Sequence, residues 1–173
     1  MDIEALKTAT LAFVESHKAW TPAIAAGLAF CESIAVLSLF VPATVILIAV
    51  GALIGGADLA FWPVVGAAAL GAAAGDWVSY EAGKWLGPAA KTKWPLRRYP
   101  EMTQRAEDFI ARWGIAAVAL GRFVGPARAL VPLLAGVLGL SRLPFQVANV
   151  ASAAVWSFVL LAPGAGLLAW FDR

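Results

Sequence analysis

The length of its nearly uncharged apolar runs constrains this chain more than any other feature. They extend over residues 20–56, 59–80, 115–140 and 143–171, and a helix that crosses a bilayer needs about 20 predominantly apolar residues. Hydrophobic residues make up 61% of the chain and charged residues 14%, against about 25% charged in an ordinary soluble domain. Water is the wrong solvent for such a sequence. The expected fold is all-α: a polytopic integral membrane protein forming a single membrane domain over residues 1–173.

Two of the runs carry breaks. Residues 20–56 are too many for one comfortable helix and too few for two full spans with a turn, and Pro42 lies inside them. A proline there removes a helix hydrogen bond and clashes with the preceding turn, so this stretch is expected to be a re-entrant helical hairpin. Residues 113–140 are expected to form a second one, with Gly125, Pro126 and Pro132 in the middle. Irregular backbone at that depth is tolerated only where protein or a wet cavity surrounds it. Spanning helices are expected at 58–87 and 143–171. Residues 1–19 place Ile3, Leu6, Thr10, Phe13 and Val14 on one stripe, which predicts an N-terminal amphipathic helix lying along the interface. The start Met1-Asp2-Ile3-Glu4 is acidic and does not fit a cleaved leader, so nothing is expected to be removed.

Net charge is only +2, yet Lys84, Lys91, Lys93, Arg97, Arg98, Arg105 and Arg112 fall in one polar stretch. The positive-inside bias predicts that residues 88–112 form a basic cytoplasmic loop and helix. Lipid head groups are its expected partners rather than nucleic acid, because no aromatic-interleaved module surrounds the charges. A single cysteine, Cys31, and a single histidine, His17, supply neither an intrachain disulfide nor a metal cluster, and no cofactor is expected. A phosphatase or transferase would need a nucleophile beside a base, or carboxylates around a metal. Scattered acids offer neither, so the chain is not expected to be an enzyme.

The two halves resemble each other. At an offset of 84 residues Pro42 pairs with Pro126, Ala43 with Ala127, Gly55 with Gly139, Leu59 with Leu143 and Phe61 with Phe145. Each copy reads as a broken hairpin followed by one span, a unit that crosses the membrane once, so the second copy must be inverted. Asp58 at the joint of the first copy and Arg142 at that of the second agree with joints on opposite sides. Inverted repeats of broken helices are typical of transporters, with the site near the midplane where the repeats meet.

Four charges lie inside the apolar runs. Arg122 and Arg128 flank the Gly125-Pro126 break, and an arginine at membrane depth costs roughly 2.5–3.5 kcal/mol even on the lenient insertion scale. In an unbroken helix the two would point about 240° apart; the break frees them to converge on one anion, and guanidinium forks suit phosphate oxygens. The alternative is that both snorkel to the interface and cap helix carbonyls. Glu32, with no other charge between Lys18 and Asp58, is either the counter-ion of an arginine, a proton carrier, or a carboxylate bonded to Ser33 or a helix end near the outer interface. Asp76 has Tyr80 and Lys84 on its helical face, which allows either a coupling role or a local structural ladder. The glycine pairs Gly71/Gly75 and Gly51/Gly55 fit close helix packing.

The string GRFVGPARALVPLLAG at residues 121–136 closely resembles the hallmark of the DedA family, the bacterial relatives of the eukaryotic VTT-domain lipid scramblases. Phe30-Cys31-Glu32 followed by Pro42, and Gly75-Asp76 with Tyr80 before Gly83-Lys84, extend the likeness, which runs from about Pro22 to Phe171. The resemblance implies two facing re-entrant hairpins, a multi-pass location in the bacterial cytoplasmic (inner) membrane, and movement of lipid phosphates, undecaprenyl phosphate or phosphatidylethanolamine among them, with proton-motive force often implicated. It also implies roles for particular residues: Glu32 matches the first family acid, Arg122 and Arg128 match the two essential arginines, and Asp76 matches the polar position of the following helix. One departure is visible, since a second acid commonly follows the hairpin proline within two residues, where this chain has Ala43 and Thr44. The expected function is a lipid flippase in which Arg122 and Arg128 bind the phosphate head group, Glu32 and Asp76 serve proton coupling or as counter-ions, and Thr44, Tyr80, Gly125, Pro126 and Pro42 support them. Two alternatives stay open: a proton-coupled exporter of small solutes or cations, and a non-transporting membrane-homeostasis scaffold. Self-association into a homo-oligomer is also left open.

Overall fold

The computed structural model describes residues 18–34, 47, 50, 51, 54, 60–92, 96–124, 128 and 130–166. Pro42, Thr44, Asp58, Gly125, Pro126 and nearly all of the expected N-terminal helix lie outside the described residues. Six helices carry the described structure: α1 (Thr21–Ser33), α2 (Phe61–Leu86), α3 (Pro100–Trp113), α4 (Ala116–Gly121), α5 (Leu130–Val137) and α6 (Arg142–Leu161), joined in part by short 3-10 turns. Among the described residues there is no strand, in keeping with the all-α expectation.

Local sequence explains several of the boundaries. A proline stands in the first turn of both α1 and α3, where its missing amide hydrogen costs no helix bond. The final helix is shorter than expected from the apolar run to Phe171: α6 ends at Leu161 and residues 162–166 form turns. Pro163 has no amide hydrogen to carry the ladder onward, and Gly166 adopts φ +73°.

The outer surface reads inside out. The outward face of α2 carries Trp62, Leu70, Trp77 and Val78, at 50–72% exposure, and that of α6 carries Leu143, Val147, Val150, Val155 and Val159, at 54–76%. Contiguous apolar surface of this extent marks a membrane or interaction face rather than one facing water. By length and composition, the helices beginning at Phe61 and Arg142 can cross a membrane.

Small residues bring the helices together. A Cβ at Gly71 would land on the Ala26 carbonyl, and one at Gly75 would come within 2.5 Å of the Phe30 carbonyl oxygen. The order Ala26 to Gly71, then Phe30 to Gly75, makes α1 run parallel to α2 along a seam of alanine, glycine and backbone. In contrast α6 runs antiparallel to α2: Trp62 stacks on Phe158 at 6.1 Å, Asn149 meets Ala73, Tyr80 stacks on Phe145 at 4.1 Å, and Glu81 pairs with Arg142. The turns of the two expected hairpins lie outside the described residues. The amphipathic α3 buries Ala106 and Ile110 with Leu96, Leu130 and Leu134, and Lys91 fastens it through Glu107 at 2.6 Å.

Candidate functional site

The charges of the apolar runs meet between α1, α2, the α4–α5 segment and α6. Asp76 is fifteen residues into α2, and Glu32 is in the last turn of α1. Because the Gly71/Gly75 seam lets α1 lie against α2, both acids reach the same interior; Ser79 of α2 adds a hydrogen bond to the Ser33 carbonyl at 3.3 Å. Arg122 follows the short α4, and Arg128 stands two residues before α5. A Cβ at Gly121 would press on the Val131 side chain at 2.9 Å, so a residue without a side chain is what lets α4 and α5 close on each other here.

Arg122 is held from two sides. Its Nη2 donates to Asp76 Oδ2 and, at 2.7 Å, to Asn149 Oδ1, while its Nε donates to Ser152 Oγ at 3.2 Å. Asn149 donates in turn to the Ala73 carbonyl at 2.9 Å, and Ser152 to the Asn149 carbonyl at 3.0 Å. Arg128 Nη2 pairs with Glu32 Oε1, and its guanidinium lies 5.5 Å from the centre of the Trp156 ring, a cation–π arrangement. Asp76, Glu32 and Arg122 are each less than 9% exposed. Two cations and two carboxylates thus share a small buried volume, and stripping one member from such a pair costs about 3–5 kcal/mol because a buried charge is left alone.

Between them lies a cavity of about 10 Å³, lined by Ser33, Asp76, Val118, Arg122, Arg128, Pro132 and Trp156. That is the space of about one water molecule. A phosphate group does not fit, so the arrangement is a closed one in which each guanidinium is matched by a carboxylate.

The four charges singled out in the sequence therefore come together, and neither arginine has snorkelled to the surface. Tyr80 does not join them. Its hydroxyl donates to the Leu140 carbonyl at 2.5 Å, its ring stacks on Phe145, and the Lys84 ammonium lies 5.7 Å from the ring centre, so Tyr80 keeps the Lys84 half of the structural ladder and also cross-links α2 to the turn after α5. Asn149, Ser152 and Trp156 escaped the sequence reading. Their signal was available: they recur at three- and four-residue spacing with Gln146 on one face of α6, within a run otherwise read as plain apolar span. Among the described residues no three His, Cys, Asp or Glu side chains gather in a way that could hold a metal ion.

Comparison with known proteins gives consistent results. The sequence model of the VTT domain matches residues 41–166. The inner membrane protein YabI of Escherichia coli is 35% identical over 140 residues, 79% of this chain and 54% of that protein. The inner membrane protein YghB of Salmonella typhimurium is 36% identical over 129 residues, 74% of this chain and 59% of that protein. The inner membrane protein YqjA of Escherichia coli is 32% identical over 136 residues, 78% and 62% respectively. The chain spans between about half and three fifths of the length of these curated relatives. No solved structure matches it.

Proposed function

The chain belongs to the VTT-domain, or DedA, family of membrane proteins, and from that premise we propose that it is a lipid transporter of the bacterial inner membrane, moving an anionic, phosphate-bearing lipid between leaflets. One observation carries this reading: Arg122, just after α4, and Arg128, two residues before α5, line one cavity while paired with carboxylates from two other helices. Guanidinium groups recognise phosphate oxygens through paired charge-assisted hydrogen bonds. The head group enters between the two hairpins, exchanges for the carboxylates on the arginines, and leaves its acyl chains in the bilayer. Undecaprenyl phosphate and phosphatidylethanolamine are substrates of the right chemistry.

Exchange leaves Glu32 or Asp76 without its cation inside hydrocarbon, where an isolated carboxylate is unfavourable. Taking up a proton resolves that, and it is the point at which proton-motive force couples to lipid movement. In this reading residues 88–112 face the cytoplasm, where Lys91, Arg97, Arg98, Arg105 and Arg112 sit among anionic head groups.

Reconstitution with fluorescent anionic lipids, with and without a pH gradient, tests substrate class and coupling together. Arg122→Ala and Arg128→Ala are expected to abolish lipid movement while the protein still inserts. Full transport by either variant contradicts the proposal, and uptake of a soluble ion without lipid movement would favour the solute exporter instead. The complete matching of the four charges favours a second reading, in which they pair purely as architecture in a non-transporting scaffold. The double exchange Glu32→Arg with Arg128→Glu keeps the pair but transposes it. A scaffold tolerates that change; a transporter does not.

A further inference from the structure

A guanidinium group has five N–H hydrogens, and those of Arg122 are used unequally. Nε is taken by Ser152, and the two hydrogens of Nη2 by Asp76 and Asn149. Asp76, Asn149 and Ser152 leave the Nη1 edge unengaged, and Arg122 lines the cavity. Asn149 is itself fully buried and fixed: its carbonyl oxygen accepts from Arg122 while its amide nitrogen donates to Ala73, one turn before Asp76 on α2. Turning the amide over would set donor against donor and acceptor against acceptor, so these two contacts define its orientation.

Resting on the reading of Arg122 as a phosphate ligand, we propose that Asn149 and Ser152 are positioning residues that hold Arg122 by its Nε and Nη2, present its Nη1 edge to the head-group phosphate, and keep it in place once Asp76 has let go. Their neutrality is the chemical point. A side-chain amide and a hydroxyl accept hydrogen bonds from a cation without cancelling its charge, so the full positive charge stays available to an incoming anion. A third carboxylate in their place would hold the arginine equally well and compete with the substrate. Without either residue, an arginine released by Asp76 has a long flexible stem and every reason to leave hydrocarbon for the interface.

The test uses the full chain in proteoliposomes containing a fluorescent anionic phospholipid, with transport followed as a function of lipid mole fraction. Asn149→Ala and Ser152→Ala are expected to raise the half-saturating lipid fraction roughly ten-fold or more, the scale of a hydrogen bond to a charged group, with the maximal rate within about two-fold of the parent. Ser152→Thr, which keeps the hydroxyl, restores the parent value. Asn149→Asp keeps the acceptor but loses transport. A loss of packing alone would instead lower the maximal rate at unchanged half-saturation. In parallel, thermal melts in detergent of Arg122→Ala, Asn149→Ala and the double variant are expected to be non-additive, because Asn149 loses its main partner when Arg122 is gone. Additive melts, or an active Asn149→Ala variant with unchanged half-saturation, overturn this inference alone. A parent protein that moves no anionic lipid sinks the transport reading and takes the phosphate role of these residues with it.

Discussion

Each buried ion pair stands or falls as a unit. Glu32→Ala leaves the half-buried Arg128 guanidinium against Trp156 with its carboxylate gone, and is expected to cost about 3 kcal/mol, read as a fall in melting temperature in detergent. Adding Arg128→Leu to that variant should recover most of the loss, since removing both charges also removes their desolvation cost; a double variant no more stable than the single one would refute the pairing. Tyr80→Phe keeps the ring stack on Phe145 but drops the hydroxyl bond to Leu140, so a cost of about 1 kcal/mol is expected, with lipid movement unchanged. The four charges were legible in the sequence because a charge inside an apolar run stands out at once. Asn149 and Ser152 carried a fainter signal, the helical spacing they share with Gln146, because a neutral polar side chain stands out less in an apolar run than a charge does. The Tyr80 contact was hidden for a different reason: helical spacing gives neighbours on the same helix, whereas its hydroxyl reaches Leu140, sixty residues away in sequence.

At the level of helices, close approach is the organising device. Gly71 and Gly66 both lie inside α2, yet a Cβ at Gly71 would strike the Ala26 backbone while one at Gly66 would meet nothing within 4 Å. Gly71→Ala should therefore push α1 away from α2 at a cost of about 1–3 kcal/mol or more, whereas Gly66→Ala should gain roughly 0.5–1 kcal/mol from helix propensity. Melting temperatures of the two variants moving in the same direction would show the seam to be looser than described. The seam was readable from the Gly71/Gly75 spacing, and the two long helices from their apolar length. The end of α6 was not, because hydropathy passes smoothly through Pro163, whose effect lies in its backbone.

Among the described residues the molecule has antiparallel long helices with apolar outer faces and an amphipathic helix, α3, fastened by Lys91 and Glu107. In a variant with Cys31 replaced and a cysteine at position 105, a membrane-impermeant maleimide is expected to label from the cytoplasmic side only; labelling solely from the opposite side would invert the proposed topology. That sidedness is an expectation drawn from the clustering of lysines and arginines, while the register of α6 against α2 depends on contacts such as Trp62 with Phe158 and Ala73 with Asn149, which no local pattern encodes. The matched charges at the centre carry one more consequence. Arg122 with Asp76 and Arg128 with Glu32 sum to zero, and the sum stays zero wherever the shared protons sit. Work done by an electric field on a group scales with its net charge, about 2.3 kcal/mol per elementary charge per 100 mV, so the membrane voltage exerts no net pull on the closed centre and begins to act only when an ion joins it.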